Sequence, residues 1–148
     1  MSQTATGAAA LDQTDAEAAV ADYASYASLV GRILIAPLFL LSGITKLTAP
    51  EPTIDMIASA GVPFATLAFA LTILLEVVGS IALIAGYRVR LVAAAMALFS
   101  VAAALAFHTD LVDQNQLIHF FKNIAMAGGL LQIVAFGAGR FSLDARRS

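Results

Sequence analysis

Four long apolar blocks constrain this chain more than any other feature. They run roughly from Leu29 to Leu47, Phe64 to Ala85, Leu91 to Phe107 and Leu117 to Phe136. Each is close to the ~20 residues that an α-helix needs to cross a bilayer. A spanning segment must satisfy its own backbone polar groups, and a helix does so within one stretch of chain. The expected architecture is therefore all-α, a four-helix transmembrane bundle. A soluble core of the same residues would spread them at amphipathic spacing instead of gathering them into blocks. The composition agrees, with 60% hydrophobic residues and only 12% charged ones, far from the soluble norm.

What is missing excludes several functions. A net charge of −2 with scattered basic residues offers no basic stripe for nucleic acid. With no cysteine, the chain has no disulfide framework, thiolate metal site or dithiol exchange of its own. The N-terminus has no basic region followed by a short apolar block and cleavage site, so a removable secretory signal is not expected.

The chain divides into a polar leader over 1–27, a membrane domain over 28–137 and a basic tail over 138–148. The leader reads as a mobile or surface-lying segment. Thr14 followed by Glu17 forms a capping box, which predicts a helix starting there and running towards the membrane. Tyr23 and Tyr26 are expected at headgroup level. In the first span Arg32 and Lys46 bracket an uncharged run, each placed to snorkel to its own interface, and Pro37 is expected to bend the helix. Between the first two spans, Pro50, Pro52, Gly61 and Pro63 frame a stretch, Thr53 to Ala60, that predicts about two helical turns lying in the interface. The third span carries Ala97, Ser100 and Ala104 on one face, and the fourth pairs Ala125 with Gly129; small residues permit close helix approach.

Orientation follows the basic residues, because cytoplasmic loops keep lysine and arginine in excess. Arg32, Arg88, Arg90, Arg140, Arg146 and Arg147 collect on the side of the termini, against Lys46 and Lys122 on the other. That distribution places both termini in the cytoplasm.

Glu76 is the leading candidate for chemistry. It stands about twelve residues into its span, ~18 Å deep at 1.5 Å per residue, and a mid-membrane carboxylate must be neutral or paired. It reads either as a proton relay facing a polar ligand or as interhelical glue bonded to Thr72, Ser80 or a basic residue of another helix. Arg32, Phe39, Gly43 and Lys46 share one face of the first helix, which is expected to look inward. His108, His119, Lys122 and Asn123 form a polar cluster on the outer side. Two histidines without a third ligand do not make a metal site, so no metal is expected.

The ordered residues resemble the DoxX family of membrane proteins. The run Gly31-Arg32-Ile33-Leu34 through Phe39 to Ser42-Gly43-Ile44-Thr45-Lys46-Leu47 is similar to the family's first helix. So are Gly61-Val62-Pro63, Leu75-Glu76-Val77-Val78-Gly79, His108, Phe121-Lys122-Asn123 and Gly128-Gly129. The likeness extends from about Leu29 to Gly137. It implies a four-helix bundle in the cytoplasmic membrane, and for some relatives a subunit of a thiosulfate:quinone oxidoreductase or a partner of a redox enzyme. Quinone is then the implied ligand, with Arg32, Lys46, His108, Lys122 and Asn123 as the binding residues and Glu76 as the relay. Electrons would arrive from another subunit, so the chain is not expected to be a complete enzyme. The competing reading is a non-catalytic anchor or assembly factor, with the lipid bilayer, a redox subunit or a second copy as partners. Transport ranks last, because the two halves show no repeat.

Overall fold

A computed structural model describes the backbone of residues 2–147 and the side chains of residues 16–147. Its elements are α1 (Ser2–Thr48), α2 (Pro50–Ser59), α3 (Ala65–Ile73), a π-helical segment (Leu74–Gly79), α4 (Ser80–Ala85), α5 (Val89–Phe107) and α6 (Gln114–Phe136). No strand occurs among the described residues. Four stretches are long and apolar enough to cross a membrane: Ala16–Thr48, Ala65–Ala85, Val89–Phe107 and Gln114–Phe136.

The bundle is apolar outside and fine-grained inside. Leu34, Leu41, Leu67, Leu98, Leu105 and Leu131 are exposed, while the core includes Ala36, Ala93, Ala97 and Ala127 beside Phe39, Leu83, Met96 and Leu130. In water that arrangement would leave large apolar area uncovered. In a bilayer it is the stable one, since lipid covers leucine as well as protein does and close contact between small residues drives helix association. The expected packing face of the third span is realised: Ala97, Ser100 and Ala104 are all buried. Helices α5 and α6 form the most extensive pair, and α1 packs along α4, the π segment and α6.

The first helix departs from the sequence expectation. No helix starts at Thr14; α1 is continuous from Ser2, and the capping-box pattern falls in its interior. The leader is alanine-rich and has no glycine or proline after Gly7, so nothing in its propensities opposes extending the membrane helix outward. At 47 residues, α1 is ~70 Å long, over twice the hydrocarbon thickness of about 30 Å. Pro37 lies inside α1 without breaking it. Helix α6 begins three residues before its expected start at Leu117, because the Asp113 carboxylate accepts from the Gln116 amide at 2.8 Å and caps it.

The tail folds back on the bundle. Leu143 N and Asp144 N donate to the carbonyls of Ala85 and Gly86, each at 3.0 Å. The Asp144 carboxylate accepts from the amides of Arg88 (2.7 Å) and Val89 (2.8 Å), which caps α5 from a distant part of the chain. Gly86 makes this approach possible. Its φ of 68° ends α4, and a Cβ there would collide with Ser142 and the Arg32 guanidinium.

Arg32 holds this end together. Sequence reasoning lets it snorkel to the interface; it is instead fully buried. Its Nε donates to Ser28 O (3.3 Å), Nη1 to Leu83 O (3.2 Å) and Ile84 O (2.9 Å), and Nη2 to Ala138 O (3.1 Å) and Phe141 O (2.7 Å). Two of these carbonyls lie in the last turn of α4 and two in the tail beyond α6, outside the regular helical ladder or at its end, and a guanidinium is all donor. Tyr26 packs its ring 4.8 Å from that of Phe141, and Arg140 pairs with Asp22 at 2.5 Å.

Candidate functional site

The opposite end of the bundle carries a cavity of about 210 Å³ between α1, α2, the second span, α5 and α6. Its position follows from a break in helical regularity. The second span changes from α to π geometry over Leu74–Gly79, with Glu76 inside the altered turn. Such π turns interrupt the ordinary hydrogen-bond ladder and occur frequently at functional sites. Ser80 Oγ donates to the Glu76 carbonyl at 2.5 Å and supplies a side-chain partner there. The turn comes close to α1 at Gly43, where a Cβ would lie 2.7 Å from Val77 Cγ2 and 3.0 Å from Glu76 Cβ. Glycine there lets α1 approach closely enough for its next turn to reach Glu76.

That turn provides the partner. Lys46 Nζ lies 2.7 Å from Glu76 Oε1 and 2.8 Å from Oε2, with Ser42 Oγ 2.6 Å away. Ser42 Oγ in turn donates to Glu76 Oε1 at 3.1 Å. Lys46 therefore does not snorkel away from the bundle. The Glu76 side chain is 5% exposed and that of Lys46 22%, so the carboxylate is enclosed while the ammonium borders the open cavity. The two readings of Glu76 converge geometrically: the same pair ties α1 to the second span and lines a cavity.

The outer polar cluster meets this pair across the cavity. His108, Lys122 and Asn123 line it together with Lys46, Ser42 and Glu76. His119 is not among the lining residues but organises them. Its ring stacks on His108 with centroids 5.1 Å apart, its Nδ1 lies 2.9 Å from Lys122 Nζ, and its carbonyl accepts from Asn123 Nδ2 at 3.0 Å. His108 Nδ1 is 2.8 Å from Gln116 Oε1. The rest of the wall is largely apolar, including Leu38, Phe39, Phe99, Phe107 and Met126.

Five of the six residues singled out from the sequence thus share one cavity: Lys46, Glu76, His108, Lys122 and Asn123. Arg32 is not brought to it; it stands ~21 Å back along α1 from Lys46 at 1.5 Å per residue, with its donors occupied. Sequence reasoning missed Ser42 as a member of the ion-pair network, although its spacing of four from Lys46 is a helical-neighbour signal. It also missed the role of α2. That short helix buries Ile57 and adds Thr53, Met56 and Ile57 to the cavity wall. Among the described residues no group of three or more His, Cys, Asp or Glu could hold a metal ion. Every buried side-chain nitrogen or oxygen among them has a hydrogen-bond partner.

The sequence profile of DoxX matches residues 27–109, more than half of the chain. The chain belongs to the DoxX family. The matched segment carries Lys46, Glu76 and His108 of the cavity, whereas Lys122 and Asn123 follow it on α6. The inner membrane protein YqjF of Escherichia coli (strain K12) is 34% identical over 116 residues, covering 78% of this chain and 88% of the relative. The inner membrane protein YphA of the same organism is 30% identical over 124 residues, covering 80% and 88%. No solved structure matches significantly. This DoxX-family chain is a multi-pass integral membrane protein.

Proposed function

We propose that this protein is a cytoplasmic-membrane subunit of a quinone-linked redox system, with both termini in the cytoplasm, and that the cavity receives the quinone headgroup. The observation that carries the reading is the Lys46–Glu76 pair, set in a π turn and bordering a largely apolar cavity. A quinone head needs hydrogen-bond donors at two carbonyls and an apolar enclosure for its ring. Lys46, Lys122 and Asn123 supply donors, Phe39 and Phe99 supply apolar wall, and Glu76 holds Lys46 in place. At about 210 Å³ the cavity is below the ~300 Å³ at which whole-ligand pockets begin, which fits a headgroup whose isoprenoid tail remains in lipid.

When bound, quinone supplies two-electron, two-proton redox chemistry that the side chains alone lack. The protein's part is to bind, orient and supply protons: Glu76 is the relay beside the ammonium of Lys46, and the His108–His119–Lys122 cluster leads towards the outer aqueous phase. Electrons come from a partner subunit. The membrane assignment draws support from the names of the two inner membrane relatives, and the orientation from the arginines gathered at the tail end.

Native mass spectrometry of the protein released gently from its own membrane tests this reading. A stoichiometric quinone adduct, lost in Glu76→Gln and Lys122→Ala variants that remain folded, is the expected result. A quinone-free chain that co-purifies with a second protein would overturn it in favour of an anchor or assembly factor. That second reading draws on α1, which is far longer than a bilayer crossing requires.

A further inference from the structure

At the end of the bundle away from the cavity, the start of α5, the end of α6 and the returning tail enclose an open groove of about 510 Å³. We propose that this groove binds the phosphate headgroup of an acidic phospholipid from the surrounding leaflet, held by Arg90 and Arg88.

The two arginines reach the groove for separate structural reasons. Arg88 is one of two non-glycine residues with positive φ among the described residues, at 43°. An L-residue rarely adopts that conformation unless its surroundings impose it. Here the Asp144 carboxylate imposes it by accepting the Arg88 and Val89 amides. Those amides are consequently engaged, so the groove's attraction for an anion comes from side chains and not from an open helix N-terminus. Arg90 is the second residue of α5. Its guanidinium lies over Gly137, where a Cβ would be 3.3 Å from Nε and 3.4 Å from Nη2.

Arg90 differs from the other arginines that the structure engages. Arg32 is consumed by five carbonyls, Arg140 pairs with Asp22, and Arg147 lies over the Tyr87 ring at 4.9 Å. Arg90 makes no hydrogen bond or ion pair with any described residue and is exposed at the groove. Asp144 is the carboxylate that shares the lining, and each of its oxygens accepts a backbone amide.

The walls select lipid over free phosphate. Leu91 is 65% exposed and Phe136 79% exposed, and both line the groove directly beside the guanidinium groups. They offer an apolar surface for acyl chains on the membrane side, while Arg88 and Arg90 stand at headgroup level. A guanidinium is the favoured partner for phosphate oxygens because its paired N–H groups match them in geometry and charge.

The test uses full-length protein in mixed micelles containing phosphatidylglycerol or phosphatidylcholine, read by native mass spectrometry. Preferential retention of phosphatidylglycerol is expected. It should fall about fivefold in Arg90→Gln, the factor that one basic residue carries at an acidic surface. Arg90→Lys should keep most of the retention, which separates loss of charge from loss of fold, and Arg146→Gln should keep it too, since Arg146 lies outside this groove. Equal retention of the two lipids, or wild-type retention in Arg90→Gln, would overturn the proposal. Inorganic phosphate that binds through Arg90 while phosphatidylglycerol does not would overturn the lipid assignment.

Discussion

Replacing Lys46 by Met tests the central geometry most directly, because the two members of the ion pair differ in burial. Glu76 is 5% exposed and Lys46 22%. Losing the lysine leaves an enclosed carboxylate with only the Ser42 hydroxyl beside it. Breaking a buried pair from one side costs about 3–5 kcal/mol, and an unpaired charge at mid-membrane costs about 3 kcal/mol on insertion scales; the expected loss is about 3 kcal/mol. Glu76→Gln leaves the lysine instead, which borders the cavity and can reach water through it, so about 1 kcal/mol is expected. The double variant removes both charges and preserves both shapes. It should therefore lie within about 1 kcal/mol of the wild type, since replacing a whole buried pair is often near neutral. The assay is reversible unfolding in mixed micelles, followed by circular dichroism and analysed as a double-mutant cycle. A double variant less stable than Lys46→Met alone would refute the argument, because Glu76 would then contribute independently of Lys46.

Two further substitutions probe the ends of the bundle. Arg32→Lys keeps the charge but cannot serve five carbonyls on three different segments, so the tail should loosen: protease cleavage after Arg140 and Arg146 should accelerate, and stability should fall by about 3 kcal/mol for several orphaned acceptors. Wild-type cleavage rates would show that Arg32 does not hold the tail. Gly43→Ala places a Cβ against Val77 and Glu76 and should cost about 1–3 kcal/mol by overpacking. Gly128→Ala, with open space around it, should be neutral in the same unfolding assay, and equal effects at the two glycines would contradict the close approach at Gly43.

The four spans were legible in the chain because the bilayer imposes one requirement on each of them separately: about 20 apolar residues whose backbone satisfies itself. That requirement is local, and so the class of fold and the span positions followed from hydropathy alone. The buried face of the third span was legible for a related reason, since small residues at helical spacing mark where a backbone can approach. Glu76 stood out because a carboxylate at that depth needs a partner whatever surrounds it.

The choice of partner was not legible. Lys46 and Arg32 sit on the same face of α1, and both looked free to snorkel. The rotation and depth of the second span decided between them. The π turn at Leu74–Gly79 and the glycine at 43 bring Glu76 to Lys46, while carbonyls at the end of α4 and in the tail claim Arg32. These are contacts between residues 30 to 109 positions apart, and no local pattern encodes them. The capping box at Thr14 and Glu17 failed for the converse reason: a short motif signals a helix start only where the preceding chain cannot be helical, and here it can. The sequence by itself therefore determined a four-span membrane helix protein and the polar residues that such a bundle must accommodate. Tertiary packing alone decided which of those residues line a cavity and which close the far end, because helix rotation and register depend on side-chain fit between distant segments.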